Sequence, residues 1–167
     1  MNKVDVMANT AWAIGDDYEL NLVERKLDKF SSEQLKQFDS RMDKLNLKEA
    51  SKLKILTFFF GAFGIARFMT GQKVAGWIRI FLLVAMLIVP KIMIQSVDIH
   101  SDSDSLVGVF MLFGGGALLI GLKILIVILW IWDFAKADDL AYNYNFYQIM
   151  GLIRDIENKD EKGKSND

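Results

Sequence analysis

The chain has no cysteine, one proline and one histidine among its 167 residues. Without cysteine it has no disulfide, no thiolate metal site and no cysteine nucleophile. His100 is the single histidine, which excludes a metal site built from several histidines. The sequence also has no phosphate-binding loop and no nucleophile–base set. We therefore predict a protein without enzymatic activity, cofactor or resident metal.

Basic charge is not in excess either, since 20 Lys and Arg residues stand against 21 Asp and Glu residues. The net charge of −1 gives no broad basic field, so we predict no nucleic-acid partner. Apolar residues are abundant, at 52% of the chain. The charges lie mainly in residues 1–54 and 133–167, and few lie in 55–132. The start, MNKVDVMANTAWAIGDD, has no continuous apolar core, so we predict no secretory signal peptide.

Two amphipathic patterns follow each other before residue 50. Each repeats apolar residues at spacings of three or four, which is typical of one face of a helix. SSEQ, 31–34, has the pattern of a capping box, with Ser31 at the N-cap and Gln34 three residues later. The two apolar faces consist of Leu20, Val23, Leu27 and Phe30, and of Leu35, Phe38, Met42 and Leu45. We predict a cytoplasmic helical hairpin over residues 1–50.

Three apolar segments follow, at about 53–68, 74–95 and 106–132. A spanning helix needs about 20 apolar residues, so the second and third segments are long enough. The first segment is short, and a tilted span, a half-span and an interfacial helix all fit it. The aromatic residues in 138–150 predict an interfacial helix, and the charged tail, 151–167, is expected to be disordered.

These segments predict the fold class and the topology. We expect an all-α integral membrane protein, in which the hairpin precedes a glycine-broken transmembrane helical domain, 51–150, with two to three apolar segments. Lys and Arg crowd the start of the first segment, which places the N-terminus in the cytoplasm and the protein in the inner (cytoplasmic) membrane. The loop 97–105 has three aspartates and no Lys or Arg, so we expect it outside the cytoplasm. If the first segment crosses fully, the loop and the tail exchange sides.

Arg67 and Asp133 lie on the same side of the membrane in either topology, because two spans separate them. The arginine stands beside one apolar segment and the aspartate ends another. We expect the two side chains to pair there, partly removed from water.

Four short stretches, GAFGIARFMTG, AGWIRIF, WIWDF and NYNFYQI, share a pattern with a known family. They resemble the two-transmembrane-helix domain family, whose first element is Gly-x-x-Gly-x-(Asp or His)-Arg-Phe-(Tyr or Met)-x-Gly. The residues that match that element are Gly61, Gly64, Arg67, Phe68, Met69 and Gly71. The residues that match the later elements are Gly76, Arg79, Trp130, Asp133 and Asn145. The resemblance covers about 53–149 and implies a small integral membrane protein with both termini on one side, without an established biochemical activity.

The chain departs from the family pattern at two places. Ala66 stands where the family has Asp or His, so a role that needs that side chain is not supported here. The family's second span is one glycine-broken helix, whereas here two apolar segments and an acidic loop replace it. The glycine run 114–116 lies inside the third segment.

Several polar features have a structural and a functional interpretation. The first motif element forms either a turn with an interfacial arginine, which we favour, or a site that senses a partner. Lys123, deep in the third segment, either snorkels to the surface or lines a pore. Arg79 and Lys91 are expected to reach the headgroups. DIHSDSD, 98–104, fits a solvated loop better than a cation site, because it lacks the glycine and glutamate of an EF-hand loop.

The leading hypothesis is a non-enzymatic membrane adaptor or scaffold. Its N-terminal helices and tail would bind a protein partner, and Arg67 with Asp133 would couple or fix the membrane helices. The alternative is a small oligomeric channel or transporter that uses the glycine-rich third segment and Lys123. The expected partners are membrane lipid and either an unidentified protein or further copies of the chain.

Overall fold

The computed structural model describes residues 3–99 and 105–164, without the side chains of 93–94, 96–113 and 161–164. Every regular element within the described residues is helical. The elements are α1 (Lys3–Ala11), α2 (Asp17–Leu27), α3 (Ser32–Met42), α4 (Ala50–Phe60), a 3-10 turn (Gly61–Phe63), α5 (Ile65–Met69), α6 (Lys73–Ile99), α7 (Ser105–Ala135) and α8 (Ala137–Lys164). The chain divides into two compact units. The helical unit is Met1–Leu53 with Ala137–Asp167, and the apolar unit is Lys54–Lys136.

Local sequence signals set the starts of α2 and α3. The Asp16 carboxylate caps α2 by accepting a hydrogen bond from the Tyr18 N–H at 2.7 Å. At α3 the Gln34 N–H donates to Ser31 Oγ at 3.3 Å, and the Ser31 N–H donates to Gln34 Oε1 at 2.7 Å. These bonds satisfy N–H groups that have no partner inside the helix. The predicted capping box is therefore confirmed.

The core of the helical unit is formed by the apolar faces of α1, α2, α3 and α8. Of the eight residues that the sequence assigned to the hairpin faces, six are buried and two, Leu20 and Leu45, pack partly buried against the core. The buried six are Val23, Leu27, Phe30, Leu35, Phe38 and Met42. The predicted faces are thus confirmed. Helix α1 was not predicted, and it adds the fully buried Val6 to the same core.

The C-terminal region differs from the prediction. Residues 138–150 are helical as predicted, but the tail that was expected to be disordered continues the same helix, α8, to Lys164, and α8 belongs to the helical unit. The physical reason is an apolar stripe at helical spacing, which is no more than 4% exposed. The stripe consists of Ile149, Leu152, Ile153 and Ile156. Disorder was predicted from the high charge of the tail, and composition alone does not reveal an apolar stripe of this spacing.

Ion pairs lie beside the α8 stripe. Lys26 Nζ of α2 is 3.0 Å from a Glu157 carboxylate oxygen, and Arg41 Nη2 of α3 is 3.4 Å from Asp155 Oδ2. Both pairs are partly exposed, so each contributes about 0–1 kcal/mol. They favour the register in which α8 closes the core, and apolar burial supplies most of the stability.

The apolar unit is built on α6 and α7, which pack against each other. The stretches Lys73–Ile92, of 20 residues, and Gly114–Ala135, of 22 residues, are long and apolar enough to cross a membrane. In an apolar 18-residue window of each stretch, 11% of the residues are buried in the first stretch and none in the second, whereas the core helix of a soluble protein is mostly buried. The prediction of an all-helical chain with two apolar helices of spanning length is therefore confirmed for the described residues.

The glycine break lies in the first apolar segment and not in the third. Helix α7 continues through the glycine run 114–116. In the first segment α4 ends at Phe60, the 3-10 turn follows, and α5 has five residues. The 11 residues of α4 rise by about 16 Å, which is about half of the ~30 Å hydrocarbon core of a bilayer. No single helix of this segment is therefore long enough to span.

Candidate functional site

The glycine turn, residues 61–71, leads from α4 to the start of α6. Gly64 has a φ of 72° and Gly71 a φ of 78°, a left-handed backbone that favours glycine. Gly64 must also be small, because a Cβ there would lie 3.2 Å from the Gly76 Cα and 3.0 Å from the Arg79 side chain. The turn therefore brings its backbone directly against α6 at the level of Arg79.

The ring of Phe68 fixes the same contact from the other side. A Cβ on Gly76 would lie 2.7 Å from this ring, so the glycine provides the space that the phenyl group fills. Phe68 also contacts Trp77 edge to face, with 5.8 Å between the ring centroids. The Arg-Phe and Gly elements of the motif are thus parts of one packed arrangement.

Trp130 attaches the end of α4 to α7. Its Nε1–H donates to the carbonyl oxygens of Thr57 and Phe58 at 3.1 and 3.2 Å. Carbonyl groups in the last turn of a helix have no partner inside the helix, so the indole caps α4. A Cβ on Gly61 would lie 2.5 Å from the Trp130 ring, which makes a small residue necessary there.

Arg67 and Asp133 form the predicted pair. Arg67 Nε and Nη2 both donate to Asp133 Oδ1, at 2.9 and 2.7 Å. The Asp133 side chain is fully buried and that of Arg67 is 17% exposed. Arg67 Nη1 also donates to the Oε1 of Gln72. The arginine is therefore held by a carboxylate on one side and an amide on the other.

Arg79 does not reach outward, in contrast to the prediction. Its side chain is only 7% exposed, and its Nη2 lies 2.8 Å from Asp133 Oδ2. The two atoms form an ion pair but not a hydrogen bond, and Asp133 Oδ2 has no hydrogen-bond partner. The reason for the inward direction is the turn, whose Gly64 leaves space beside the Arg79 chain. We call Arg67, Arg79 and Asp133 the arginine–aspartate cluster.

The cluster places two guanidinium groups on one carboxylate, which leaves a formal charge of +1. Asp133 lies in the last turn of α7, where the helix dipole disfavours a negative charge, so the two arginines stabilise it. Buried charges cost several kcal/mol when they have no partner. Arginine stays protonated at all physiological pH values, so both guanidinium groups of the cluster keep their positive charge. The ion pairs of the cluster connect the glycine turn, α6 and α7.

Asn145, the last residue of the motif, belongs to the helical unit, whereas the cluster belongs to the apolar unit. It is fully buried. Its Oδ1 accepts a hydrogen bond from the Lys48 N–H at 2.7 Å, and its Nδ2 donates to the Ala13 and Lys48 carbonyl oxygens at 3.0 and 2.9 Å. Asn145 thus joins α8 to two loops of the unit, which is a structural role.

The remaining candidate residues are not brought into the cluster. Lys123 and Lys91 are exposed on α7 and α6. The acidic stretch 98–104 lies outside the residues whose side chains are described, so its interpretation stays a prediction. Sequence reasoning missed Gln72 and Thr57, since a side-chain amide five residues after Arg67 and a helix-end carbonyl carry no motif signal.

Comparisons with known proteins leave the family open. No family model matches the sequence, and neither a curated protein nor a solved structure gives a significant match. The resemblance to the two-transmembrane-helix domain family therefore stays a prediction. The position where that family has Asp or His is occupied by Ala66, which is fully buried.

Proposed function

We propose that this chain is an integral membrane adaptor. In this proposal α6 and α7 cross the membrane, and the helical unit presents a binding surface for a protein partner on one side of it. The observation that carries the proposal is the apolar surface of α6 and α7. Their large exposed side chains include Trp77, Phe81, Leu87, Ile124 and Ile128, each more than half exposed. A surface of this kind is suited to lipid and not to water.

The composition of the helical unit supports a defined topology. This unit is built from both ends of the chain, Met1–Leu53 and Ala137–Asp167. Both parts must be on one side of the membrane for their cores to combine, which requires an even number of crossings. Two crossings, by α6 and α7, satisfy this condition, whereas a third crossing by residues 54–69 would separate the two parts. We infer that residues 54–69 stay at one membrane face.

Charge supports the cytoplasm as the side of the helical unit. The residues around the start of α6 and the end of α7 include five Lys or Arg and one Asp. They are Lys54, Arg67, Lys73, Arg79, Lys136 and Asp133. Positive flanks favour the cytoplasmic side. In a test of this topology, a reporter tag is attached to each terminus and spheroplasts are treated with a protease from outside. Both tags should be protected, and cleavage of either one contradicts this topology.

The binding role is tested by photocrosslinking in the membrane. Tyr147 is 72% exposed on α8, so a photoreactive residue there should capture a protein partner. The matched control is Tyr144, which is half-buried and has the Lys48 ammonium 5.6 Å from its ring centroid. We expect a distinct crosslinked protein from position 147 and much less from 144. If both positions give only crosslinks between copies of the chain, the adaptor proposal fails.

A channel is the second candidate, and the exposure of Lys123 favours it. This residue lies inside the stretch Gly114–Ala135, and its side chain is exposed. In an oligomer such a lysine would line an anion path. Purified protein in liposomes should then conduct anions, and Lys123→Met should lower the conductance while Lys91→Met should leave it unchanged. Liposomes that conduct nothing rule out the channel.

A further inference from the structure

The arginine–aspartate cluster has one positive charge more than its own carboxylate neutralises. We propose that the cluster binds the phosphate group of an anionic phospholipid, with Arg67 as the residue that contacts it. The proposal rests on the membrane insertion proposed above and adds a ligand to it. It concerns one headgroup site, in contrast to the general attraction of basic flanks to anionic membranes.

The surplus charge is difficult to leave uncompensated at this position. Arg79 and Asp133 are nearly or fully buried, and their ion pair uses one guanidinium for one carboxylate. Arg67 contacts the same carboxylate, so it brings a second positive charge into surroundings of low polarity. A charge there is stabilised by a counterion far more than it would be in water. An anion that contacts Arg67 would restore neutrality.

Arg67 is also the member of the cluster that an outside ligand can reach. Its side chain is 17% exposed, against 7% for Arg79 and none for Asp133. Asp133 and Gln72 hold the guanidinium in one orientation, so little conformational freedom is lost when a ligand binds. The planar guanidinium group of an arginine can donate to two oxygens of one phosphate. A lysine ammonium group acts as a point charge and lacks this geometry.

The surroundings favour a lipid phosphate over a soluble one. Val74, Trp77 and Phe63 are 76%, 63% and 54% exposed, and all three belong to the turn or to the first turns of α6. These apolar surfaces need acyl chains beside them. The cluster lies where α6 begins and α7 ends, which is the level of the headgroups if both helices span. A phosphate attached to acyl chains fits both kinds of surface at once.

Gln72→Glu is the sharpest test, because it adds a negative charge beside Arg67 and keeps both contacts of Asp133. The substitution neutralises the surplus charge with nearly the same side-chain shape. The matched control is Gln95→Glu, which makes the same change at an exposed position near the other end of α6. The full chain is titrated with phosphatidylglycerol or phosphatidylcholine in micelles, and native mass spectrometry gives the relative association constants.

We expect the unmodified chain to prefer phosphatidylglycerol over phosphatidylcholine. Gln72→Glu should lower the affinity for phosphatidylglycerol about tenfold, which corresponds to the loss of one charge-assisted contact. Gln95→Glu should change it less than about twofold, as expected for a screened distant charge. Equal effects of the two variants would show a general charge effect and overturn the site. The absence of any preference in the unmodified chain would overturn it as well.

Inorganic phosphate distinguishes the two sources of the ligand. An excess of inorganic phosphate should leave the association with phosphatidylglycerol unchanged, because it has no acyl chains for Trp77 and Val74. Strong competition would overturn the lipid assignment in favour of a soluble phosphate. Failure of the proposed membrane insertion is recognised separately, since the chain and both variants would then fail to enter bilayers at all. A chain that enters bilayers but shows no effect of Gln72→Glu contradicts only the lipid site.

Discussion

The two units of this chain bury opposite kinds of side chain. In the helical unit the fully buried residues are mainly large and apolar, for example Phe38, Ile149 and Ile153, and ion pairs lie at the surface. In the described part of the apolar unit no large apolar side chain is buried. The residues buried there are Thr57, Gly61, Gly64, Ala66, Gly76, Arg79 and Asp133.

Charge follows the same contrast. The helical unit has 17 acidic and 13 basic residues, a net charge of −4, and the apolar unit has 4 acidic and 7 basic residues, a net charge of +3. The difference shows that one chain applies two sets of packing rules. Water drives apolar side chains together in the helical unit. In the apolar unit, close approach at small residues and the buried ion pairs of the cluster connect the glycine turn, α6 and α7.

The largest effect that distinguishes the units is expected from Asp133→Ala. Removal of this carboxylate leaves Arg67 and Arg79 without their partner, and breaking a buried ion pair costs about 3–5 kcal/mol. Thermal unfolding of the reconstituted protein should show this loss in the apolar unit, and the core of the helical unit should keep its hydrogen-exchange protection.

A double-mutant cycle separates the ion pair from the loss of packing. Arg67→Ala combined with Asp133→Ala should cost less than the sum of the two single changes, because the second change removes a charge already left without its partner. Strict additivity would mean that the two side chains stabilise the unit independently. The contrast between the units would then rest on the small residues alone.

Asn145→Ala is expected to have the next largest effect, and it acts on the helical unit. The change removes three hydrogen bonds and leaves backbone groups of Ala13 and Lys48 without a side-chain partner. We expect a loss of roughly 3 kcal/mol, at about 1 kcal/mol for each bond. Asn143→Ala, two residues earlier and exposed, is the control and should change the stability by less than about 0.5 kcal/mol. Similar losses for the two variants would argue against Asn145 as the residue that joins α8 to the loops.

Glycine substitutions sharpen the contrast inside the apolar unit. Gly76→Ala would place a Cβ 2.7 Å from the Phe68 ring, so we expect a destabilisation of about 1–3 kcal/mol from overpacking. Gly114→Ala meets no atom within 4 Å, so alanine should stabilise α7 by about 0.5–1 kcal/mol. Unfolding of both variants in the same lipid checks the prediction. A loss of stability in Gly114→Ala would indicate a helix partner from another copy of the chain.

Sequence reasoning was reliable where a pattern is local. The α3 capping box, the faces of α2 and α3 and the two apolar helices follow from spacing and composition. The contact between Arg67 and Asp133 was predicted from the number of long apolar segments that separate them, and the structure shows this contact. The position of α8 could not be obtained in this way, because its stripe is embedded in a charged segment and its partners are more than a hundred residues away. The direction of the Arg79 side chain was predicted wrongly for a similar reason, since it depends on the space beside Gly64.

The smallest effect is expected from Glu19→Gln, at a cavity of about 560 Å³ in the helical unit. The lining includes Asp16, Asp17, Glu19 and Asp139. Burial, and to a smaller extent the charge of Asp16, raise the pKa of Glu19 above its ordinary value of 4.5. A carboxyl group with a raised pKa in the folded state stabilises the fold below its ordinary pKa, and that contribution is lost as the pH rises through the folded value.

Glu19→Gln should therefore be slightly more stable than the unmodified chain at neutral pH, and the difference should shrink as the pH falls toward 4.5. Glu33→Gln is the control, because Glu33 lies in the first turn of α3, where a carboxylate has the same favourable interaction with the helix dipole. Unfolding of both variants at several pH values isolates the effect of the cavity. If Glu19→Gln and Glu33→Gln are equally destabilised at neutral pH, the dipole interaction outweighs burial. Burial of the Glu19 carboxylate beside Asp16 would then cost no net stability, and the acidic surface of the helical unit would carry no penalty at this position.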